Sequence, residues 1–254
     1  MMDAGARPGA VALVGSGEYT AAMDETDAAL LATVGGVGMA RVALLPTASG
    51  LEVNGPTHWN SMGLDHFAGL GVADVRATQI VDAASAASPL QLELLRGANF
   101  FYFSGGDPAH IIATLRGSPA WELIAAAHAR GAVLAGCSAG AMMLGGRTLS
   151  IRSAMASGTL QWGEALGVVP GVIVFPHFDR MASFAGEERF RAVLDGIPAD
   201  LVALGVDEDT ALVRLAPATG NAPARWRVMG RQAVTVFAPG VAPRRLGADD
   251  EVEL

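Results

Sequence analysis

Lysine is missing from this chain: all 17 basic side chains are arginines, set against 25 acids for a formal charge of -8. A surface of that sign repels phosphate, so nucleic acid is not an expected partner. The arginine-only usage reads first as compositional bias, although a planar guanidinium also suits carboxylate recognition. There is a single cysteine, Cys137. It excludes an internal disulfide and a cysteine-rich zinc site, and nothing demands an oxidising compartment. The histidines are scattered without H-x-x-x-H spacing, so no metal and no other cofactor is expected. Apolar runs stay below the roughly 20 residues of a membrane span. The opening "MMDAGARPGAVALVGSGEYT" has an acid near its start and a short apolar run ending in a glycine loop. That is the pattern of a buried strand, not of a signal peptide. The expectation is a soluble, cytoplasmic protein with no membrane partner.

What the chain does contain is material for a core. With 254 residues, 51% of them hydrophobic, it can bury one large α/β domain. Apolar, β-rich runs fall at Ala10–Val14, Arg41–Leu45, Asp74–Ile80, Asn99–Phe103, Ala132–Gly136, Gly171–Phe175 and Leu201–Val206. Amphipathic stretches lie between them, at about Ala21–Val34, Thr57–Leu70, Leu90–Arg96, Pro108–Arg130 with a break near Pro119, Ser138–Leu144 and Ala182–Leu194. The alternation predicts βαβ units, hence a mostly parallel sheet flanked by helices. Short antiparallel strands are expected in "TALVRL", "RWRVMG" and "AVTVFAPG", and the charged tail "GADDEVEL" is expected to fray. One domain is anticipated over 1–254, with its core at about 10–240 and the tail beyond. No repeat or low-complexity linker divides it.

In such sheets chemistry gathers where the carboxyl ends of strands meet helix N-termini. The loops at those ends are "GSGEY", "PTASG", "SGGDP", "GCSAG", "PHFDR" and "DEDT". Gly136-Cys137-Ser138-Ala139-Gly140 fits G-x-S-x-G, the nucleophile elbow, whose small residues two before and two after the nucleophile permit a strained turn. For Cys137 to be the nucleophile, glycines would be needed at 135 and 139, and both are alanine. Ser138 fits the register, and Cys137 is expected to point into the core as a small hydrophobe.

A serine needs a base, and the base needs an orienting group. His58, His66, His110 and His128 lie in or near predicted helices and suit structural or surface roles. His177 follows the strand "GVIVF" and a proline, at the same sheet edge as Ser138. Acids at that edge are Glu208, with Asp207 next to it, and Asp179 two residues past His177; all three remain open on spacing. Donors for an oxyanion are the amide of Ala139 and one from the Gly105-Gly106 turn.

"PTAS", "FYFSGGDP", "AGCSAGA", "GVVPGVIVFPHF" and "GVDEDTALV" together resemble the serine peptidases that include peptidase E (aspartyl dipeptidase) and cyanophycinase, in order and nearly in spacing. The resemblance covers roughly residues 10 to 240. It implies a fold related to class I glutamine amidotransferases and a Ser-His-Glu triad carried by Ser138, His177 and Glu208, with the Gly106 and Ala139 amides as the oxyanion hole. It also implies small aspartyl peptides as substrates, for whose carboxylate Arg180 is the nearest cation in sequence; a surface ion pair with Asp179 is its alternative role.

Departures from the family pattern bear on specificity. Pro108 follows "GGD" where cyanophycinase-like chains carry Gln. Arg189 and Arg191 come only after an interrupting segment, which counts against polymeric cyanophycin. Ser153 stands where some peptidase E-type chains place a catalytic acid. A dinucleotide site at "GSGEYT" lacks the third glycine, replaced by Thr20, and a ribose-binding acid. A ligand-binding relative without catalysis is the remaining rival, and a homodimer is compatible with the chain.

Overall fold

The computed structural model describes residues 7–149, 161–216 and 223–254. Ser153 lies outside them. The first sheet is built on four apolar strands buried on both faces: β1 (Val11–Val14), β2 (Arg41–Leu45), β4 (Phe100–Phe103) and β5 (Val133–Cys137). With the edge strand β3 (Asp74–Ala77) they pair in parallel in the order β1-β5-β4-β2-β3. Near-continuous hydrophobic runs are what parallel strands covered on both sides require.

Alternate residues serve the two faces. Phe100, Tyr102, Val133, Ala135 and Cys137 pack with Phe67 of α2 (Gly55–Gly69) and Leu30 of α1 (Asp24–Thr33). Phe101, Phe103 and Leu134 face the other way. They join Leu95 of α3 (Pro89–Leu95), Ile111 of α4 (Pro108–Leu115), Ile124 of α5 (Pro119–Ala129) and Met143 of α6 (Ala139–Leu144). The break foreseen near Pro119 is present: Asp107 caps α4 and Ser118 caps α5, each side-chain oxygen accepting a backbone N–H of the first turn.

The parallel sheet foreseen from the sequence is accompanied by a second one. Among the described residues it comprises β6 (Gly145–Leu149), β7 (Trp162–Glu164), β8 (Val169–Phe175), β9 (Val202–Val206), β12 (Val234–Phe237) and β13 (Arg244–Leu246), in the order β13-β12-β9-β8-β6-β7. The strands β6 and β7 were not foreseen, because "GGRTL" and "WGE" carry little β-branched or alternating signal. The stretch read as one helix at Ala182–Leu194 is two, α7 (Phe178–Ala185) and α8 (Glu187–Asp195), parted at Gly186 with φ 82°. The chain returns to the first sheet through β10 (Thr210–Arg214), which pairs antiparallel with β1, and β11 (Arg225–Gly230).

The tail does not fray as expected. Residues Glu251–Glu253 form β14, paired antiparallel with β11, with Val252 opposite the buried Trp226. Its charges alternate outward while Val252 is buried, so a three-residue strand masqueraded as a solvated run. Deleting residues 247–254 should uncover Trp226 and lower the unfolding free energy by about 2–3 kcal/mol, read as a lower urea midpoint. An unchanged midpoint would show that β14 adds nothing to the sheet.

Candidate active site

Ser138 occupies the turn between β5 and α6, with φ 51° and ψ -113°, a conformation that L residues seldom adopt. Its amide donates to the Val14 carbonyl at 2.9 Å, and its carbonyl receives the Met142 amide at 3.0 Å. The turn is so tight that a Cβ at Gly136 would collide with the Gly140 carbonyl, and one at Gly140 with the Phe103 carbonyl. Both flanking glycines are thus steric requirements. Cys137 points the opposite way, fully buried, and its S–H donates to Glu18 Oε2 at 2.8 Å. Burial first, then the charge of Glu18, pushes this thiol well above its usual range, so it stays protonated.

Next to Ser138 stands His177, at the end of β8 and also in the left-handed region, with φ 50° and ψ 37°. The following residue, Phe178, anchors it: its ring lies directly over Gly205 of β9, where any Cβ would collide with it, and packs edge-on against Phe190 and Phe237. His177 Nε2 is 3.0 Å from Ser138 Oγ, and Nδ1 is 3.0 Å from Glu208 Oε1. A carboxylate can only accept, so Nδ1–H donates to Glu208, leaving Nε2 to accept the serine O–H.

The three acids after β9 go to three different places. Glu208 turns to the imidazole, and its backbone carbonyl accepts from Gln232 Nε2 at 2.9 Å and Thr210 Oγ1 at 3.0 Å. Asp207 is fully buried and bonds Arg245 of β13 at 2.7 Å; burial raises its pKa, partly opposed by that guanidinium. Asp209, with φ 53°, faces Arg231. Asp179, the fourth acid, accepts the Glu208 amide at 2.9 Å instead of approaching the imidazole. Arg180 Nε lies 3.4 Å from Glu208 Oε2 and 3.6 Å from Asp179 Oδ2, so it joins this carboxylate pair, with its side chain 59% exposed.

On the other side of Ser138 is the turn after β4. Gly106 has φ 143°, and a Cβ there would strike the Ala48 backbone. Gly105 is close enough that its Cβ would lie 3.4 Å from Ser138 Cβ. The Gly105 amide donates to Glu18 Oε1 at 2.9 Å, while the Gly106 and Ala139 amides have no acceptor among the described residues. Glu18 went unnoticed in the sequence. Its only signal is an acid in a loop closing a buried strand, between Gly17 and Tyr19, both at positive φ.

The other histidines are bonded elsewhere: His66 to Asp27, His110 to the Val81 carbonyl and His128 to the Ala132 carbonyl; His58 lies against Trp59. Among the described residues no cluster of His, Cys, Asp or Glu has the arrangement of a metal site.

The sequence model of peptidase family S51 matches residues 11–215. The chain belongs to peptidase family S51. The S51 match includes the segments carrying Ser138, His177 and Glu208 but ends after β10. Gln232 and Arg245, which hold the turn bearing Glu208, therefore lie beyond it.

The chain is 28% identical over 202 residues, 78% of its length, to a cyanophycinase of Synechococcus elongatus, and 27% identical over 176 residues, 68% of its length, to one of Geminocystis herdmanii. It spans 58% and 62% of those relatives. In structure it is similar to a peptidase from an acI-B1 Actinobacterium, with a TM-score of 0.84, 31% identity and 97% of each chain covered. A putative peptidase E of Listeria monocytogenes shares the fold at a TM-score of 0.58 and 18% identity, over 94% of this chain and 100% of that one.

The buried thiol of this S51 protein gives a direct measurement. Iodoacetamide at pH 8 should modify folded Cys137 at least about 100-fold more slowly than the urea-unfolded chain. Because the folded thiol holds its proton above the ordinary pKa of about 8.5, the unfolded state ionises first, and the thiol's contribution to stability should fall as pH rises past that value. Equal alkylation of folded and unfolded protein would contradict the burial of Cys137.

Proposed function

We propose that the protein is a serine peptidase acting on short aspartyl peptides through Ser138, His177 and Glu208. The observation that carries this reading is the continuous hydrogen-bonded chain from Ser138 Oγ through His177 to Glu208, with both links at 3.0 Å. In it, His177 Nε2 takes the serine proton as Oγ attacks the scissile carbonyl, and Glu208 steadies the imidazolium that forms. The Gly106 and Ala139 N–H groups, both without an acceptor among the described residues, donate to the oxyanion of the tetrahedral intermediate. His177 then passes its proton to the leaving amine, and a water activated by the same nitrogen releases the acyl group.

Arg180 is the substrate-side element of the proposal. Its Nε is committed to Asp179 and Glu208, and the exposed guanidinium edge offers a cation to an aspartyl carboxylate on the Glu208 side of the site. The cyanophycinase relatives favour a second substrate, the polymer cyanophycin, against which the departures at Pro108 and in the arginine series count.

A fluorophosphonate probe should label the protein once, at Ser138. Ser138→Ala should abolish the label although Cys137 remains; undiminished labelling of that variant would refute the nucleophile. His177→Ala should lower kcat by about 10⁴-fold or more and Glu208→Gln by about 10²- to 10⁴-fold, the two losses being far from additive. Full activity in Glu208→Gln with loss in Asp179→Asn would move the orienting acid to Asp179.

Aspartyl dipeptides should be cleaved faster than their asparaginyl counterparts, and Arg180→Ala should cut that preference by about 10- to 100-fold. Without a preference in the parent protein, the substrate class fails. A preference unchanged by Arg180→Ala rejects the clamp alone, and release of arginine-containing products from cyanophycin in place of dipeptide cleavage would favour the polymer.

A further inference from the structure

Glu18 is a buried carboxylate that the mechanism above does not use. It is 5% exposed and makes no ion pair among the described residues. Burying a lone charge is costly and persists only where bonds to it compensate. Its loop is bent to achieve the burial: Gly17 has φ 84°, and Tyr19, a bulky residue, has φ 62° while packing 4.8 Å from the Tyr102 ring. Strain of this kind in a non-glycine residue is retained where the surroundings over-determine it, and it clusters at functional sites.

The two oxygens of Glu18 receive hydrogens from two separate segments. Oε1 accepts the Gly105 amide at 2.9 Å, one residue before Gly106, and Oε2 accepts the Cys137 S–H at 2.8 Å, one residue before Ser138 and two before Ala139. One rigid carboxylate therefore ties together the two pieces of chain whose free amides must converge on a single oxygen atom. It also occupies the Gly105 amide, leaving Gly106 as the donor of that turn without an acceptor among the described residues. A Cβ at Gly105 would lie 3.2 Å from Glu18 Oε1 and 3.4 Å from Ser138 Cβ, so the three groups are in contact and a shift in one is felt by the others.

We propose that Glu18 is a positioning residue that sets the spacing of the oxyanion hole by bridging the Gly105-Gly106 turn to the Ser138 elbow. The proposal rests on the serine-peptidase reading above. Glu18 touches no reacting atom, and its effect is geometric: the donors are held where charge develops in the transition state, which raises kcat without tightening substrate binding. The elevated thiol pKa fits this role, since only protonated Cys137 can donate.

The test uses the full chain, a short peptide substrate that the parent cleaves and a peptide boronate that forms a tetrahedral adduct with serine. Glu18→Met fills the same space but accepts no hydrogen bond. It should lower kcat by about 10²- to 10³-fold with KM within about threefold, and weaken the boronate in proportion to kcat. Glu18→Gln, whose amide oxygen still accepts from Gly105 and whose NH₂ can face the Cys137 sulfur, should stay within about tenfold of the parent in both.

Parental kcat and boronate affinity in Glu18→Met would overturn the proposal, as would equal losses in Glu18→Gln and Glu18→Met. Should Glu18→Met fail to fold, the retention of kcat in Glu18→Gln decides: a loss beyond about tenfold overturns it. Absence of fluorophosphonate labelling at Ser138 in the unmodified protein would instead defeat the serine-peptidase reading, and this inference with it.

Discussion

The turn at Ser138 is the constraint around which the site is arranged. A serine at φ 51° and ψ -113° is held there because β5 is fully buried, because Val14 of the neighbouring strand takes its amide, and because glycines at 136 and 140 let α6 fold back without a steric clash. Each of those conditions depends on a different element. A Cβ at Gly140 would strike β4, and one at Gly15, just past β1, would strike the Asp207 carbonyl. The first sheet and the turn that follows β9 are therefore packed backbone to backbone around the serine.

His177 and Glu208 reach the serine from the second sheet. Parallel pairing of β8 with β9 brings the residues after both strands to one edge, and the passage from β9 to β10 carries the Asp207–Asp209 turn across to β1. Within that turn a division of labour follows from burial. Asp207 faces inward and is held by Arg245, Asp209 faces Arg231, and Glu208 between them is directed to the imidazole. Glu208 is further fixed through its backbone by Asp179, Gln232 and Thr210. A carboxylate anchored through its own main chain keeps its orientation without needing burial of the charge.

Two carboxylates thus approach the serine's surroundings in different environments, Glu208 through His177 and Glu18 through Gly105 and Cys137. Glu208 is partly exposed, shares Arg180 and meets the imidazole. Glu18 is buried, meets no cation among the described residues and bonds only an amide and a thiol. The contrast bears on Cys137, adjacent to the serine: burial first, and then the same carboxylate that accepts its S–H, opposes its ionisation.

Much of this was legible in the chain itself. Strand and helix alternation follows from where apolar runs and amphipathic stretches fall, and the register of Gly136 and Gly140 points to Ser138 over Cys137; the Gly136 collision with Gly140 is local, whereas that of Gly140 with Phe103 needs the fold. The order of motifs points to the family. What local pattern could not decide is which acid meets His177: Glu208, Asp207 and Asp179 are equivalent in spacing, and only the contacts of the turn after β9, with Gly15 beyond β1, Arg245 of β13 and Asp179, sort them. Tertiary structure alone also revealed Glu18, whose partners lie 87 and 119 residues away, and turned a charged tail into β14 by supplying β11 as its partner. The physical reason is the same in each case. Backbone sterics and periodic burial act over a few residues and are written in sequence order, whereas the partner of a buried charge or an edge strand is chosen by whatever the fold brings alongside.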